Sequence, residues 1–192
     1  MTEGGTNPSQ YADAQRLVAS LNRIFRDEGL AYSVDEFGQV RNIVDREFAA
    51  ATESTAKALD RPAYETARQH FEIALSEFAA IEGDARKTVR ESFEAVECLF
   101  KQVFSVDRLN AEKIRNAKPM VIGLGKDDSQ RDFLENILDA FRSWVDAAHN
   151  YRHSNPESVR APDRGDVVIV VSQAVAYLRW LVDVGDRMAE AE

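Results

Sequence analysis

Two apolar stripes at helical spacing constrain this chain more than any other feature. Between Ala85 and Phe104, the residues Val89, Phe93, Val96, Phe100 and Val103 follow at intervals of 4, 3, 4 and 3. Between Gln130 and His153, Leu134, Ile137, Phe141, Trp144, Ala148 and Tyr151 follow at 3, 4, 3, 4 and 3. Such intervals bring a side chain back to one face of a helix at every turn, so each segment reads as an amphipathic helix with one face toward a core. Neither segment contains Gly or Pro, so nothing breaks it. The expected fold class is mainly α. Long helices with short connections pack as an antiparallel helical bundle.

The rest of the chain fits around these two helices. Leu17, Leu21, Ile24 and Phe25 recur at helical spacing between Tyr11 and Glu28, with Gly29 as the expected cap. Tyr32 and Val34 alternate with polar residues, and Val40 and Ile43 follow a Phe37-Gly38 turn, which predicts one small β-hairpin over about 31–44. An isolated hairpin is marginal in water and must pack on a helix. An Ala-rich helix is expected from Asp45 to Leu59. Pro62 opens the next, from Ala63 to Ile81, with Ala67, Phe71, Ala74, Leu75 and Phe78 on its apolar side. Gly83 breaks the chain and Asp84 is a good N-cap.

A short helix over Asn110–Ala117 should give way to a loop holding Pro119, Gly123 and Gly125. Ser129 is the expected cap of the long helix, and Asn155-Pro156 its stop. Asp166 is the expected cap of the last helix, which runs to about Glu190. Its Val-rich start could be read as a strand, but Val168, Val171, Val175, Leu178, Leu181 and Val182 keep helical spacing. Three parts are expected: a disordered lead-in at 1–9, an N-terminal helical region with the hairpin at 10–82, and a helical bundle at 83–192.

Composition narrows the function. Hydrophobic residues make up 44% and charged residues 30%, enough for a real core. The net charge of −9 works against non-specific attraction to nucleic acid. Arg142, Arg152, Arg160 and Arg164 fall close enough in sequence to offer a local basic site. The lone cysteine, Cys98, excludes an internal disulfide and reads as a buried, inert thiol. One cysteine and three histidines argue against a structural zinc site, and no cofactor is expected. The N-terminus lacks the pattern of a signal peptide, and no run of about 18 apolar residues stands out. No membrane span and a cytoplasmic location are therefore expected.

The residues that point to chemistry lie on the long helix. At about 100° per residue, Arg142, Asp146, His149 and His153 form a narrow stripe roughly 120° from the middle of the apolar face. Arg152 lies nearer the core boundary. Histidine is the side chain most easily poised for proton transfer near neutral pH. Arginine holds a phosphate and stabilises charge developing on it. Metal-independent RNA cleavage needs both roles: activation of the 2′-hydroxyl and stabilisation of the pentavalent phosphorus. Plainer readings stand beside this one. Arg142 and Asp146 have the i, i+4 spacing of a surface salt bridge, and a charged His153 would complement the helix dipole. His149 and His153 have metal-ligand spacing but lack a third ligand. Trp144 and Trp180 read as core. Gly123-Leu124-Gly125-Lys126 is too short for a phosphate-binding loop.

Three stretches carry a family resemblance: Ala85-Arg86-Lys87-Thr88-Val89-Arg90-Glu91-Ser92-Phe93-Glu94-Ala95-Val96-Glu97, then Tyr151-Arg152-His153, then Ala174-Val175-Ala176-Tyr177-Leu178-Arg179-Trp180-Leu181. On these, residues 85–185 resemble the HEPN superfamily, and more narrowly the C-terminal domain of abortive-infection proteins. The segment from Leu21 to Tyr32 is similar to N-terminal parts that accompany such domains. The resemblance implies a four- to five-helix bundle that often forms a homodimer with paired Arg/His motifs at its interface. Active members are metal-independent ribonucleases of phage defence, toxin–antitoxin systems and RNA processing, so RNA as substrate and an antitoxin or defence protein as partner are implied. Inactive members serve as binding or scaffold domains. The family motif, an Arg followed by a His after four to six residues, maps onto Arg142 and His149. Ser143 stands where the family usually has Asn or His. Arg152-His153 is similar to the Arg-His-Gly variant, with Ser154 in place of the glycine. The implied catalytic residues are His149 or His153 with Arg142 or Arg152, and Asn150, Tyr151 and Asp146 would support them.

Overall fold

The computed structural model describes residues 8–28, 30, 32–35, 37–42, 46–80, 82–153 and 161–191; the side chains of 8–11, 41–42, 46 and 150–153 lie outside that description. Within it the chain is mainly α. Its helices are α1 (Pro8–Asp27), α2 (Arg46–Ala58), α3 (Glu65–Ala79), α4 (Ala85–Phe104), α5 (Ala111–Gly123), α6 (Asp128–His153) and α7 (Arg164–Ala191). A 3-10 turn at Pro62–Tyr64 leads into α3. Strands β1 (Tyr32–Val34) and β2 (Val40–Asn42) pair antiparallel, with Val34 opposite Val40.

The hairpin forms for local reasons. Oδ1 of Asp35 accepts the N–H groups of Phe37 and Gln39, both at 2.9 Å, and closes the turn. Gly38 takes φ +80°, which a side chain would resist. Asn22 of α1 then clamps the hairpin: its Nδ2 donates to the Val34 carbonyl at 2.8 Å and its Oδ1 accepts the Val34 N–H at 2.7 Å. Phe25 adds an edge contact to Tyr32. The hairpin packs on a helix as its marginal size requires, and Leu17 and Ile24 on that helix stay about half exposed.

One connected cluster of buried side chains runs from Leu59 to Val184. Phe93 meets Trp144 and Phe100 meets Phe141, so α4 and α6 run antiparallel. Phe141 also meets Tyr177 and Trp180, and Trp144 meets Tyr177, which sets α7 antiparallel to α6. Thr88 and Val167 line one recess, and Gly185 lies against Val103, so α4 and α7 run parallel. The end of α6 that carries His149 therefore lies beside the beginnings of α4 and α7. Arg61 grips Asp186 through two hydrogen bonds at 2.5 and 2.9 Å, and Arg179 donates to Ser54 at 2.6 Å, tying the α2 region to α7.

Several boundaries differ from the sequence reading. Helix α1 opens at Pro8, inside the stretch read as lead-in; residues 1–7 lie outside the described residues, as do Gly29 and 154–160 with the expected Asn155-Pro156 stop. Helix α5 runs past Ala117, through Pro119, to Gly123. A proline removes one helical N–H, but Pro119 and Arg115, whose carbonyl loses that partner, both face solvent. Asn110 caps α5, its Oδ1 accepting the Lys113 N–H at 2.9 Å. The α6 cap is Asp127 rather than Ser129: its Oδ1 accepts the Gln130 N–H at 2.8 Å. The α7 cap is Asp163 rather than Asp166: its Oδ1 accepts the Asp166 N–H at 3.0 Å. Both displaced caps sit in the first turn, where an acidic or small polar residue is also favoured. Asp84 caps α4 as read. Val103 and Cys98, expected in the core, are half-buried.

Helix α7 has the length and apolarity that a membrane span would need. It has 28 residues and a stretch of mean hydropathy 1.7, enough to cross by length and composition. Half of that stretch is buried inside the bundle, as a core helix requires.

Candidate functional site

Helix α6 positions the predicted site. Leu134, Leu138, Phe141, Trp144, Val145 and Ala148 all face inward. That fixes the rotation of the helix and turns Arg142, Asp146 and His149 outward, where all three are exposed. Arg142 and His149, seven residues apart, differ by about 20° around the axis and about 10 Å along it.

Two contacts define the local chemistry. Nε of Arg142 lies 4.0 Å from Oδ2 of Asp146, with the side chains 58% and 64% exposed. This is the surface i, i+4 pair that the spacing also allowed, and at such exposure water screens most of its energy. His149 sits differently. Its ring centroid lies 6.4 Å from that of Phe93 at an angle of 58°. Phe93 is fully buried and stacks on Trp144 at 6.0 Å. The imidazole is thus seated at the rim of the aromatic core while its residue remains open to solvent.

The structure therefore brings Arg142, Asp146 and His149 onto one open face. Asn150, Tyr151, Arg152 and His153 belong to the last turn of α6, and their side chains lie outside the described residues. Arg160, of the proposed basic cluster, lies there too. Arg164 is placed, with its guanidinium over the Phe78 ring at 5.6 Å. Among the described residues, no three His, Cys, Asp or Glu side chains gather as a metal site.

A second titratable cluster was missed in the sequence. His70 on α3 pairs through Nδ1 with Oε2 of Glu91 on α4 at 2.7 Å. Arg90 donates to Oε1 of Glu91 through Nε at 3.2 Å and Nη2 at 3.1 Å. Burial pushes the Glu91 carboxyl up, but the hydrogen bonds from His70 and Arg90 outweigh it and hold the group below the usual carboxylate range. His70 and Glu91 are 21 residues apart on different helices, so no local spacing announces the pair. Glu97, also buried, accepts the Leu109 N–H at 3.3 Å and ties the α4–α5 connection to α4.

No protein-family model, curated protein or solved structure matches this chain. The class the fold defines is a mainly α helical bundle with a small hairpin near its N-terminus.

Proposed function

We propose that this chain is a HEPN-like helical protein of a defence or toxin type that cleaves RNA without a metal ion at the outer face of α6. One observation carries the reading: His149 is exposed to solvent yet seated against the buried Phe93 ring, on the same face as Arg142. A histidine whose body is packed and whose residue faces water is suited to proton transfer. In the proposed reaction the imidazole takes the proton of a ribose 2′-hydroxyl. The 2′-oxygen forms a bond to the adjacent phosphorus, the bond from phosphorus to the 5′-oxygen breaks, and the leaving oxygen takes up a proton. The products are a cyclic phosphate and a 5′-hydroxyl end. Arg142 or Arg152 would hold the phosphate and stabilise its added charge. A homodimer would bring two such faces together, and an antitoxin or defence protein would be its partner.

The experiment is RNA cleavage in excess chelator, comparing wild type with His149→Ala, His153→Ala and Arg152→Ala. Chelator-resistant cleavage abolished in His149→Ala or His153→Ala supports the reading and picks out the residue. Intact RNA with a folded, dimeric wild type overturns it.

A second reading has its own observation. Arg142 already faces a carboxylate, Asp146, and the chain carries a net charge of −9. Both favour a non-catalytic helical domain that binds a partner or a nucleotide through the same bundle. Binding without cleavage would distinguish it.

A further inference from the structure

At the opposite end of α6 from His149, about 24 Å away along the helix, the first turns of α6 and the second half of α7 enclose a groove of about 410 Å³. That volume lies in the range of small-ligand sites, about 300–1,000 Å³. Two aromatic rings line it. Phe133 is 63% exposed, the most exposed large apolar side chain among those described on α6. Trp180 is half-buried, and its indole Nε1 is buried with no hydrogen-bond partner among the described residues.

Two cations complete the groove. Arg187 is held in place, with Nη2 donating to the Leu124 carbonyl at 2.6 Å and Nη1 3.5 Å from Oδ2 of Asp183. Lys126 is exposed, and among the described residues its ammonium makes no ion pair. Nearby carboxylates are engaged: Asp183 with Arg187, Asp127 as the α6 cap, and Asp128 with Arg131 at 3.0 Å. Of the two cations that line the groove, Lys126 is therefore the one that makes no ion pair among the described residues.

We propose that this groove is a binding site for a planar aromatic anion, a ring carrying a carboxylate or a phosphate. The ring lies against Phe133 and Trp180, and the anionic group meets Lys126 and Arg187. The site is separate from the α6 face proposed for RNA cleavage and does not depend on it.

The chain has two tryptophans, so two indole N–H signals report on it by nitrogen-15 NMR, and Trp180→Phe assigns them. The probes are adenosine 5′-monophosphate, indole-3-carboxylate and neutral adenosine. Saturable movement of the Trp180 signal with either anion, while the buried Trp144 signal stays in place, is the expected result. Response to the nucleotide alone assigns the anion to a phosphate, and response to the carboxylate alone assigns it to a carboxylate. Lys126→Glu, an exposed change, weakens binding by about tenfold, and Asp183→Asn tightens it. An unmoved Trp180 signal at millimolar anion, or adenosine binding as well as its monophosphate, overturns the proposal.

Discussion

Nδ1 of His70 on α3 lies 2.7 Å from Oε2 of Glu91 on α4, a carboxylate side chain only 10% exposed. Because hydrogen bonds from His70 and Arg90 prevail over burial and lower the Glu91 pKa below its ordinary 4.5, the ionised form is favoured by folding. Such a group contributes stability that is fully present above 4.5 and is lost as pH falls through the lowered folded value. Glu91→Gln should therefore destabilise the fold by about 1–3 kcal/mol at neutral pH. Its stability should also fall less steeply below pH 4.5 than that of wild type. Urea unfolding at both ends of that window checks both statements; equal acid slopes would remove Glu91 from the explanation.

Gly83 predicts a larger effect from a single methyl group. A Cβ built there would lie 1.8 Å from the Glu77 carbonyl oxygen, which is backbone and cannot swing aside. The same connection carries the Lys87–Glu77 pair at 2.5 Å and the Asp84 cap, so a shift disturbs the start of α4. Gly83→Ala is expected to destabilise by about 3 kcal/mol or more. Thermal unfolding measures it, and a change within about 0.5 kcal/mol would show that the α3–α4 turn yields freely.

How far the sequence could be read is visible in the same elements. Val89, Phe93, Val96 and Phe100 are all fully buried, because periodicity reports directly on which side of a helix faces the core. The Val-rich run at Val167–Val171 is helical for the same reason. Caps were harder to place. Asp127, Asp128 and Ser129 stand in a row, and all three suit a helix start, so only the Oδ1 contact of Asp127 selects among them. Pro119 inside α5 was unreadable because whether a proline is tolerated depends on which carbonyl it exposes, a tertiary matter. Within the candidate site, the shared face of Arg142, Asp146 and His149 follows from spacing alone. The seating of His149 on Phe93 does not, since it joins residues 56 apart in sequence. The His70–Glu91 pair was invisible for the same reason.

Arg142 and Asp146 separate a structural from a functional role. Their 4.0 Å pair is exposed on both sides, so Arg142→Ala and Asp146→Ala should each change stability by no more than about 0.5 kcal/mol. On the proposed ribonuclease reading, Arg142→Ala lowers cleavage strongly, and Asp146→Ala, which removes only a supporting group, lowers it less. Denaturant unfolding and cleavage rates are measured on the same preparations. A cleavage rate untouched by Arg142→Ala would leave Arg142 as a surface pair and move the phosphate-binding role to Arg152.

Two phenylalanines on α6 should behave in opposite ways. Phe141 is fully buried and lies within ring-contact distance of Phe100, Trp144, Tyr177 and Trp180, so it joins α4, α6 and α7. Truncating it removes transfer energy and leaves a cavity that three helices cannot close together. Phe141→Ala is expected to destabilise by about 3–5 kcal/mol. Phe133, eight residues earlier and 63% exposed, loses little burial on truncation, and Phe133→Ala should stay within about 0.5 kcal/mol. Chemical denaturation of the two variants side by side decides the point. A large loss at Phe133 would mean that its ring is covered in solution, by a ligand in the Trp180 groove or by another chain, and repeating the measurement across protein concentration separates those two.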